Sequence, residues 1–309
     1  MSLPPVNPDV VNIALLCGLL LGAAYVVMGV LSFVPKTAQA IRATWPTMFS
    51  ATFTIGVILS LFLFGGGILT IALVLFAARI GFEAFSVGLA RDNLALGVNW
   101  PRALGAVTGL VVWLAMQVPL LLTVEMALVG LGVTLSILAL RKGAGKPRIS
   151  GVLEVLAYPI LPLIIFAAAA NRSEYAILIL GAYVLVETFD SYALLGGKAI
   201  GKTPAFPTLS PRKTIEGLGV GALMLMLTAA AIALVIRPED LVIALGIAAI
   251  SGGLTLAGDL LASRLKRRTG VKDYPKVLTH QGGLLDIVDS WIATGAGLAI
   301  LASVFWPLS

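Results

Sequence analysis

Residues 217–262 read GLGVGALMLMLTAAAIALVI-RPED-LVIALGIAAISGGLTLAGDLLA, two apolar runs parted by Arg237-Pro238-Glu239-Asp240. A helix needs about 20 apolar residues to cross a bilayer, and each run is long enough. Working outward, the pattern recurs along the chain and predicts about ten helices. They lie near 10–34, 47–64, 67–87, 104–122, 124–140, 152–170, 175–195, 217–236, 241–262 and 284–306. The composition agrees: 59% of the 309 residues are hydrophobic, 12% are charged, and the mean hydropathy is +1.03. A soluble domain is typically about 45–50% apolar and about 25% charged. The chain therefore reads as an all-α, polytopic integral membrane protein. A soluble enzyme, a disordered chain and a disulfide scaffold are excluded.

The breaks between runs alternate in character. Long basic ones at 35–46, 88–103, 141–151, 196–216 and 263–283 hold 18 of the 21 Lys and Arg. Basic residues are retained on the cytoplasmic side, so these breaks are expected to face the cytoplasm, with both termini on the other side. Met1 to Pro8 carries no basic segment ahead of an apolar run, so no cleaved signal peptide is expected. The basic run at 141–148 reads as a boundary between an N-terminal half (1–148, about five helices) and a C-terminal half (149–309). Compact loops and scarce cysteine suit a bacterial inner (plasma) membrane.

Cys17 and His280 are single residues of their kind, which removes thiolate or His-cluster metal chemistry and a His-based nucleophilic pair. What remains is carboxylate and cation. The stretch 258–290, GDLLASRLKRRTGVKDYPKVLTHQGGLLDIVDS, places Asp259 near a helix end. A basic loop is expected next, with Ser263, Lys266, Arg267, Arg268, Lys272 and Asp273. Gly282-Gly283 then precede Asp286 and Asp289 at the start of the last helix. A spacing of three puts these two acids on one helical face. Two carboxylates at membrane depth repel and are costly to bury alone. A divalent cation removes both penalties, and all-oxygen ligation favours Mg²⁺.

A second stretch, 187–217, reads ETFDSYALLGGKAIGKTPAFPTLSPRKTIEG. Asp190 falls inside an apolar helix. A loop with Lys198, Lys202, Ser210, Arg212, Lys213 and Thr214 is expected after it, and glycines interspersed with cations let backbone amides and ammonium groups approach phosphate. Carboxylates for a metal and cations for phosphate suit phosphoryl or nucleotidyl transfer, where positioning and charge neutralisation do most of the catalysis.

These residues resemble the signature of the phosphatidate cytidylyltransferase (CDP-diacylglycerol synthase) family. Ser263, Lys266-Arg267 and Lys272-Asp273 match its S-x-x-K-R and K-D elements. Gly282-Gly283, Asp286 and Asp289 match its H-G-G-x-x-D-R-x-D segment, and SPRKTIEG (210–217) is similar to S-P-K-K-T-x-E-G. The resemblance covers about the last 120 residues. Two departures stand out: Ile287 replaces an Arg, and Gln281 separates His280 from the glycine pair. The resemblance implies a magnesium-dependent nucleotidyltransferase that makes CDP-diacylglycerol and pyrophosphate from CTP and phosphatidate, with one or two metal ions. Asp190, Lys266, Arg267, Lys272 and Asp286 would be catalytic, and Asp259, Asp273, Asp286 and Asp289 the metal pool. Lys198, Lys202, Ser210, Arg212, Lys213, Thr214, Ser263, His280, Gly282 and Gly283 would bind substrate. Partners would be CTP, phosphatidate and membrane lipids, not nucleic acid, and a homodimer is left open. The alternatives are a CTP-dependent kinase of a long-chain lipid alcohol, or a diverged paralogue acting on another phospholipid. A transporter is disfavoured because the charges sit at helix ends, not at a midplane break.

Smaller features have simpler readings. Arg79 and Glu83, four apart in the third span, read as a buried structural ion pair and not as part of the site. Gly105 and Gly109 read as a helix-packing pair.

Overall fold

The structure, a computed structural model, describes residues 8–33, 38–92, 99–140, 150–236, 238–277 and 282–305. The helices are α1 (Pro8–Leu31), α2 (Ala38–Phe64), α3 (Gly66–Arg91), α4 (Asn99–Met116) and α5 (Leu120–Leu140). After them come α6 (Ser150–Val155), α7 (Leu161–Ala170), α8 (Ser173–Ile200), α9 (Ile215–Ile236), α10 (Leu241–Arg268) and α11 (Leu284–Phe305). Between α8 and α9 lies a short antiparallel hairpin, β1 (Pro204–Phe206) and β2 (Ser210–Thr214), with Pro204 opposite Thr214 and Phe206 opposite Ser210. The protein is an all-α integral membrane protein.

Seven helical segments among the described residues are long and apolar enough to span a membrane. They are Gly66–Arg91, Leu120–Leu138, Ser150–Ala170, Ser173–Ile200, Ile215–Leu234, Pro238–Arg268 and Leu284–Phe305. The ten expected spans differ from these in places with a physical cause. The expected span 104–122 ends early, at Met116, because Pro119 disfavours helix at the residue before it, so the break falls there and not at 123. The expected span 152–170 is present as Ser150–Ala170 but is kinked by a π turn at Leu156–Ile160, where Tyr158 is extended (φ −154°, ψ 127°) ahead of Pro159. Shorter apolar helices occur at Val10–Leu19 and Met48–Phe64.

The chain forms two compact units, Met1–Ala72 and Leu73–Ser309. The boundary expected at 148 lies outside the described residues. In the first unit, α1 and α2 meet through Tyr25, whose hydroxyl lies 2.7 Å from Thr52 Oγ1 and whose ring stacks near Trp45 and Phe49.

In the second unit α11 is the central helix, packed against α5, α7, α8 and α10. Its Trp291 is wedged edge-on between Phe166 and Tyr183 and donates its indole N–H to Ile179 O at 2.8 Å. Leu185 and Phe189 of α8, Leu225 and Ala229 of α9 and Ala248 of α10 make a second core. Outward faces stay apolar, with Leu194, Leu195, Leu223, Leu227 and Val242 exposed. That is the surface a lipid environment requires and water would penalise. Gly105 and Gly109 pack α4 on α3 as expected: a Cβ at Gly105 would sit 2.9 Å from Phe82 N, and one at Gly109 3.0 Å from Val74 O.

Candidate active site

The charged residues gather where α8, the hairpin, α10 and α11 end together. Two of the expected loops begin as helix. α10 continues to Arg268, so Ser263, Lys266, Arg267 and Arg268 lie in its last turns. Cations there face the negative end of the helix dipole, which favours the extension. Asp259, Ser263 and Lys266 are spaced i, i+4, i+7 and share one face; Ser263 and Lys266 are buried, while Arg264 and Arg267 point out. α8 likewise runs to Ile200, so Gly196, Gly197 and Lys198 are helical and not a flexible phosphate loop.

The hairpin places the next cation. In β2, Arg212 is exposed and Lys213 half-buried. Glu216, in the first turn of α9, anchors the entry to the hairpin. Its carboxylate accepts the N–H groups of Lys202 (3.0 Å) and Thr203 (3.1 Å) and the Thr203 hydroxyl (2.8 Å). Thr214 Oγ1 accepts the N–H of Gly217 at 3.2 Å, a local cap on the same helix.

Lys213 is the hub of the first cluster. Its ammonium lies 3.4 Å from Asp190 Oδ1 on α8 and 3.1 Å from Asp259 Oδ2 on α10. Burial works to lower the Lys213 pKa, but Asp190 and Asp259 more than offset it and leave it raised, so the ammonium stays charged. Asp190 is 40% exposed and Asp259 26%, so both carboxylates are partly open to solvent. Asp259 Oδ2 itself is buried, and its near neighbour is the Lys213 ammonium. Asp289, 6% exposed, lies in the field of Asp259 and, more weakly, of Asp190. One of its oxygens accepts the N–H of Ser290 at 2.6 Å.

The second cluster centres on Asp286. Its Oδ1 takes the Lys266 ammonium at 2.5 Å, and its Oδ2 accepts the N–H of Tyr274 (2.8 Å) and of Gly283 (2.9 Å). Both side chains of this ion pair are about nine-tenths buried, at 11% and 10% exposure. The Lys266 ammonium also lies 5.2 Å from the centre of the Tyr274 ring, a cation–π contact. Burial, then the carboxylates of Asp289 and Asp286, push the Tyr274 phenol pKa well up and keep it neutral.

This geometry explains the glycine pair. Gly282 adopts φ +80°, and a Cβ there would fall 2.6 Å from Asp286 Oδ2. A Cβ on Gly283 would fall 2.5 Å from Glu83 Oε2 and 2.7 Å from Tyr274 Cβ. Both glycines are buried, and their backbone lies against two carboxylates. Gly283→Ala is expected to lower stability by about 1–3 kcal/mol through overpacking, read as a fall in the thermal midpoint of the purified protein. An unchanged midpoint would mean that Glu83 and Tyr274 can move aside.

Of the other expected residues, Lys198, Lys202, Arg212, Arg267, Lys272 and Asp273 are exposed around this region, and Ser210 and Thr214 are half-buried in β2. His280 lies outside the described residues. Among the described residues no three His, Cys, Asp or Glu side chains are gathered as closely as a metal ion's ligands. The donor chemistry of Asp190, Asp259 and Asp289 nevertheless fits a hard cation, and Asp259 Oδ2, which accepts no hydrogen bond among the described residues and has the Lys213 ammonium beside it, is a candidate ligand atom.

Three residues that carry the site were not singled out for it by sequence. Tyr274 and Tyr158 are buried, and the Tyr158 hydroxyl, aimed by the π turn, donates to Asp289 O at 2.8 Å. Glu83 is a structural ion-pair partner of Arg79 as expected, at 2.7 Å. It also accepts the N–H groups of Leu284 and Leu285 at the start of α11. The π turn could have been suspected from Tyr158-Pro159; the other two contacts have no local signal.

A sequence model described as the cytidylyltransferase family matches residues 45–305. Among curated proteins, a phosphatidate cytidylyltransferase of Staphylococcus aureus is 39% identical over 124 residues, 40% of this chain and 47% of that one. A phosphatidate cytidylyltransferase of Helicobacter pylori is 32% identical over 179 residues, 58% of this chain and 65% of that one. An uncharacterised protein of Escherichia coli, YnbB, is 34% identical over 143 residues, 46% of this chain and 48% of that one. The chain thus spans about half the length of the curated relatives it matches, or up to 65% in the Helicobacter case.

Proposed function

This chain belongs to the cytidylyltransferase family, and on that premise we propose that it is a phosphatidate cytidylyltransferase, converting CTP and phosphatidate into CDP-diacylglycerol and pyrophosphate. The observation that carries the reading is the meeting of Asp190, Lys213, Asp259 and Asp289 from α8, the hairpin, α10 and α11 beside the Lys266–Asp286 pair. Such a set neutralises a triphosphate at one end and holds a cation at the other.

In the proposed reaction a phosphatidate oxygen attacks the α-phosphorus of CTP. The new P–O bond forms as the bond to the β-phosphate breaks, and pyrophosphate leaves with that electron pair. A phosphomonoester with a second pKa near about 6 is largely dianionic at neutral pH. No strong general base is then needed, in keeping with a site built of carboxylates and cations. Lys266, steered by Asp286 and the Tyr274 ring, and Lys213 would neutralise phosphate charge. Exposed Lys198, Lys202, Arg212, Arg267 and Lys272, with Ser210 and Thr214, would receive nucleotide and lipid phosphates at the mouth. Asp190, Asp259 and Asp289 would hold Mg²⁺, of which Asp259 and Asp289 were expected; Asp286 is engaged with Lys266, and Asp273 stands exposed. When bound, the cation would supply electrophilic stabilisation of phosphate oxygens. We place this face toward the cytoplasm of a bacterial inner membrane, supported by the Lys and Arg clustering.

The test follows the label of CTP carrying ³²P at the α-position, with purified protein, Mg²⁺ and phosphatidate. The expected result is label in a chloroform-soluble CDP-lipid, pyrophosphate release, and loss of both on chelating the metal. Label remaining in water, as CDP or as untouched CTP, would overturn the assignment.

A further inference from the structure

Glu83 and Arg79 sit on α3, far in sequence from every residue of the signature, and touch none of the reacting groups proposed above. Glu83 is fully buried, which a carboxylate tolerates only when its charge is answered. The answer comes from three donors. Arg79 Nε donates to Oε1 at 2.7 Å, Leu284 N to Oε1 at 2.9 Å, and Leu285 N to Oε2 at 2.8 Å. Two of these are the orphan N–H groups that every helix start leaves open. Glu83 is therefore a cap on α11 supplied by another helix, with its negative charge at the positive end of the dipole. Arg79 uses one of its two terminal nitrogens, Nη2, on the backbone that precedes the glycine pair, donating to Pro275 O at 2.8 Å and Lys276 O at 3.3 Å. Val277 N donates to Gly282 O at 2.8 Å and ties the two segments together. One ion pair on α3 thus holds the backbone at 275–276 and at 284–285. Flanking those points of attachment, Asp286 folds back on Tyr274 N and Gly283 N.

We infer that Glu83 and Arg79 are positioning residues for the cytidylyl transfer, an inference that rests on the function proposed above. They set the axial and rotational position of the first turn of α11, and hence the direction of Asp286 toward Lys266 and of Asp289 toward Asp259. The close approach of Glu83 to Gly283 is the same device seen from the other side.

The test compares Glu83→Gln with Asp92→Asn in the full-length protein. Asp92 is a second buried carboxylate that caps a helix from outside it, accepting Gly151 N at 2.8 Å and Val152 N at 3.1 Å at the start of α6. Both variants lose a buried charge at a helix start, but only Glu83 bears on α11. For Glu83→Gln, kcat should fall at least about tenfold, KM for CTP should change less than about threefold, and more Mg²⁺ should be needed for half-maximal rate. Asp92→Asn should keep kcat within about threefold once rates are normalised to folded protein. Equal losses in the two variants, or wild-type kcat in Glu83→Gln, would overturn the inference. If Glu83→Gln does not fold, Arg79→Lys decides. Lysine keeps the charge near Glu83 but lacks the fork that also reaches Pro275 and Lys276, so kcat should drop about threefold to tenfold at an unchanged thermal midpoint. Wild-type kcat in that variant would overturn the inference equally. A wild-type protein that makes no CDP-lipid would instead remove the function on which the inference depends, a result visible before any variant is made.

Discussion

Lys213→Met is expected to lower kcat by at least about a hundredfold, the scale on which one preorganised charge acts in a water-poor site. The ammonium lies between carboxylates from two different helices, 3.4 Å from Asp190 and 3.1 Å from Asp259. Removing it leaves both acids unneutralised in the field of Asp289. Folding should suffer less than activity. Breaking a fully buried pair costs about 3–5 kcal/mol, but these carboxylates are 40% and 26% exposed, and solvent screening reduces that to about 1–2 kcal/mol. A second consequence separates this role from a general cationic one. Lys213 stands where a divalent cation would neutralise the same acids, so Mn²⁺ titrated without nucleotide should bind the variant more tightly than the wild type. Weaker Mn²⁺ binding together with kcat within threefold of wild type would remove Lys213 from the site.

Asp286→Asn has the other large expected effect, because it strikes activity and stability together. The carboxylate receives one ammonium and two backbone N–H groups, and asparagine offers a single acceptor oxygen and an NH₂ that must face one of those donors. Lys266 would then be left about nine-tenths buried without its ion-pair partner, at a cost of about 3–5 kcal/mol. In a protein of this size that corresponds to a fall of about 5–15 °C in the thermal midpoint. The label-transfer rate should fall at least about a hundredfold, since Lys266 loses its direction and the start of α11 its internal tie. An intact midpoint and rate would show that Lys266 finds another partner. Lys266→Met in the same background then becomes informative. If the penalty is chiefly the stranded charge, the double variant should recover most of the midpoint and none of the rate.

The two clusters differ in how far sequence could reach them. Asp286, Asp289 and the glycine pair were conspicuous as acids inside a helix start, and Asp190 as an acid inside an apolar run. Their residue types and spacing were enough to expect carboxylate and phosphate chemistry. The membrane fold was equally open to reading, because the hydrocarbon core imposes a length and polarity on every span, and both are local properties of the chain. Helix ends were less so. α8 and α10 run past their apolar stretches, since helix persists wherever backbone hydrogen bonding and terminal cations favour it, whatever the hydropathy. Pro119 and Pro159, by contrast, were local signals for breaks that the hydropathy runs passed over.

By itself, then, the sequence determined the lipid-embedded helical architecture, the kinds of charged group available, and the family signature in the C-terminal part. Only the tertiary structure decided which groups meet. Lys213 joins Asp190 and Asp259 across 23 and 46 positions, and Glu83 caps α11 across 201. It also showed that the glycine pair makes room for Asp286 and Glu83. Hydropathy and periodicity report on neighbours within a few turns of one helix. The partner of a buried charge is set by which helices pack together, and that depends on the whole chain.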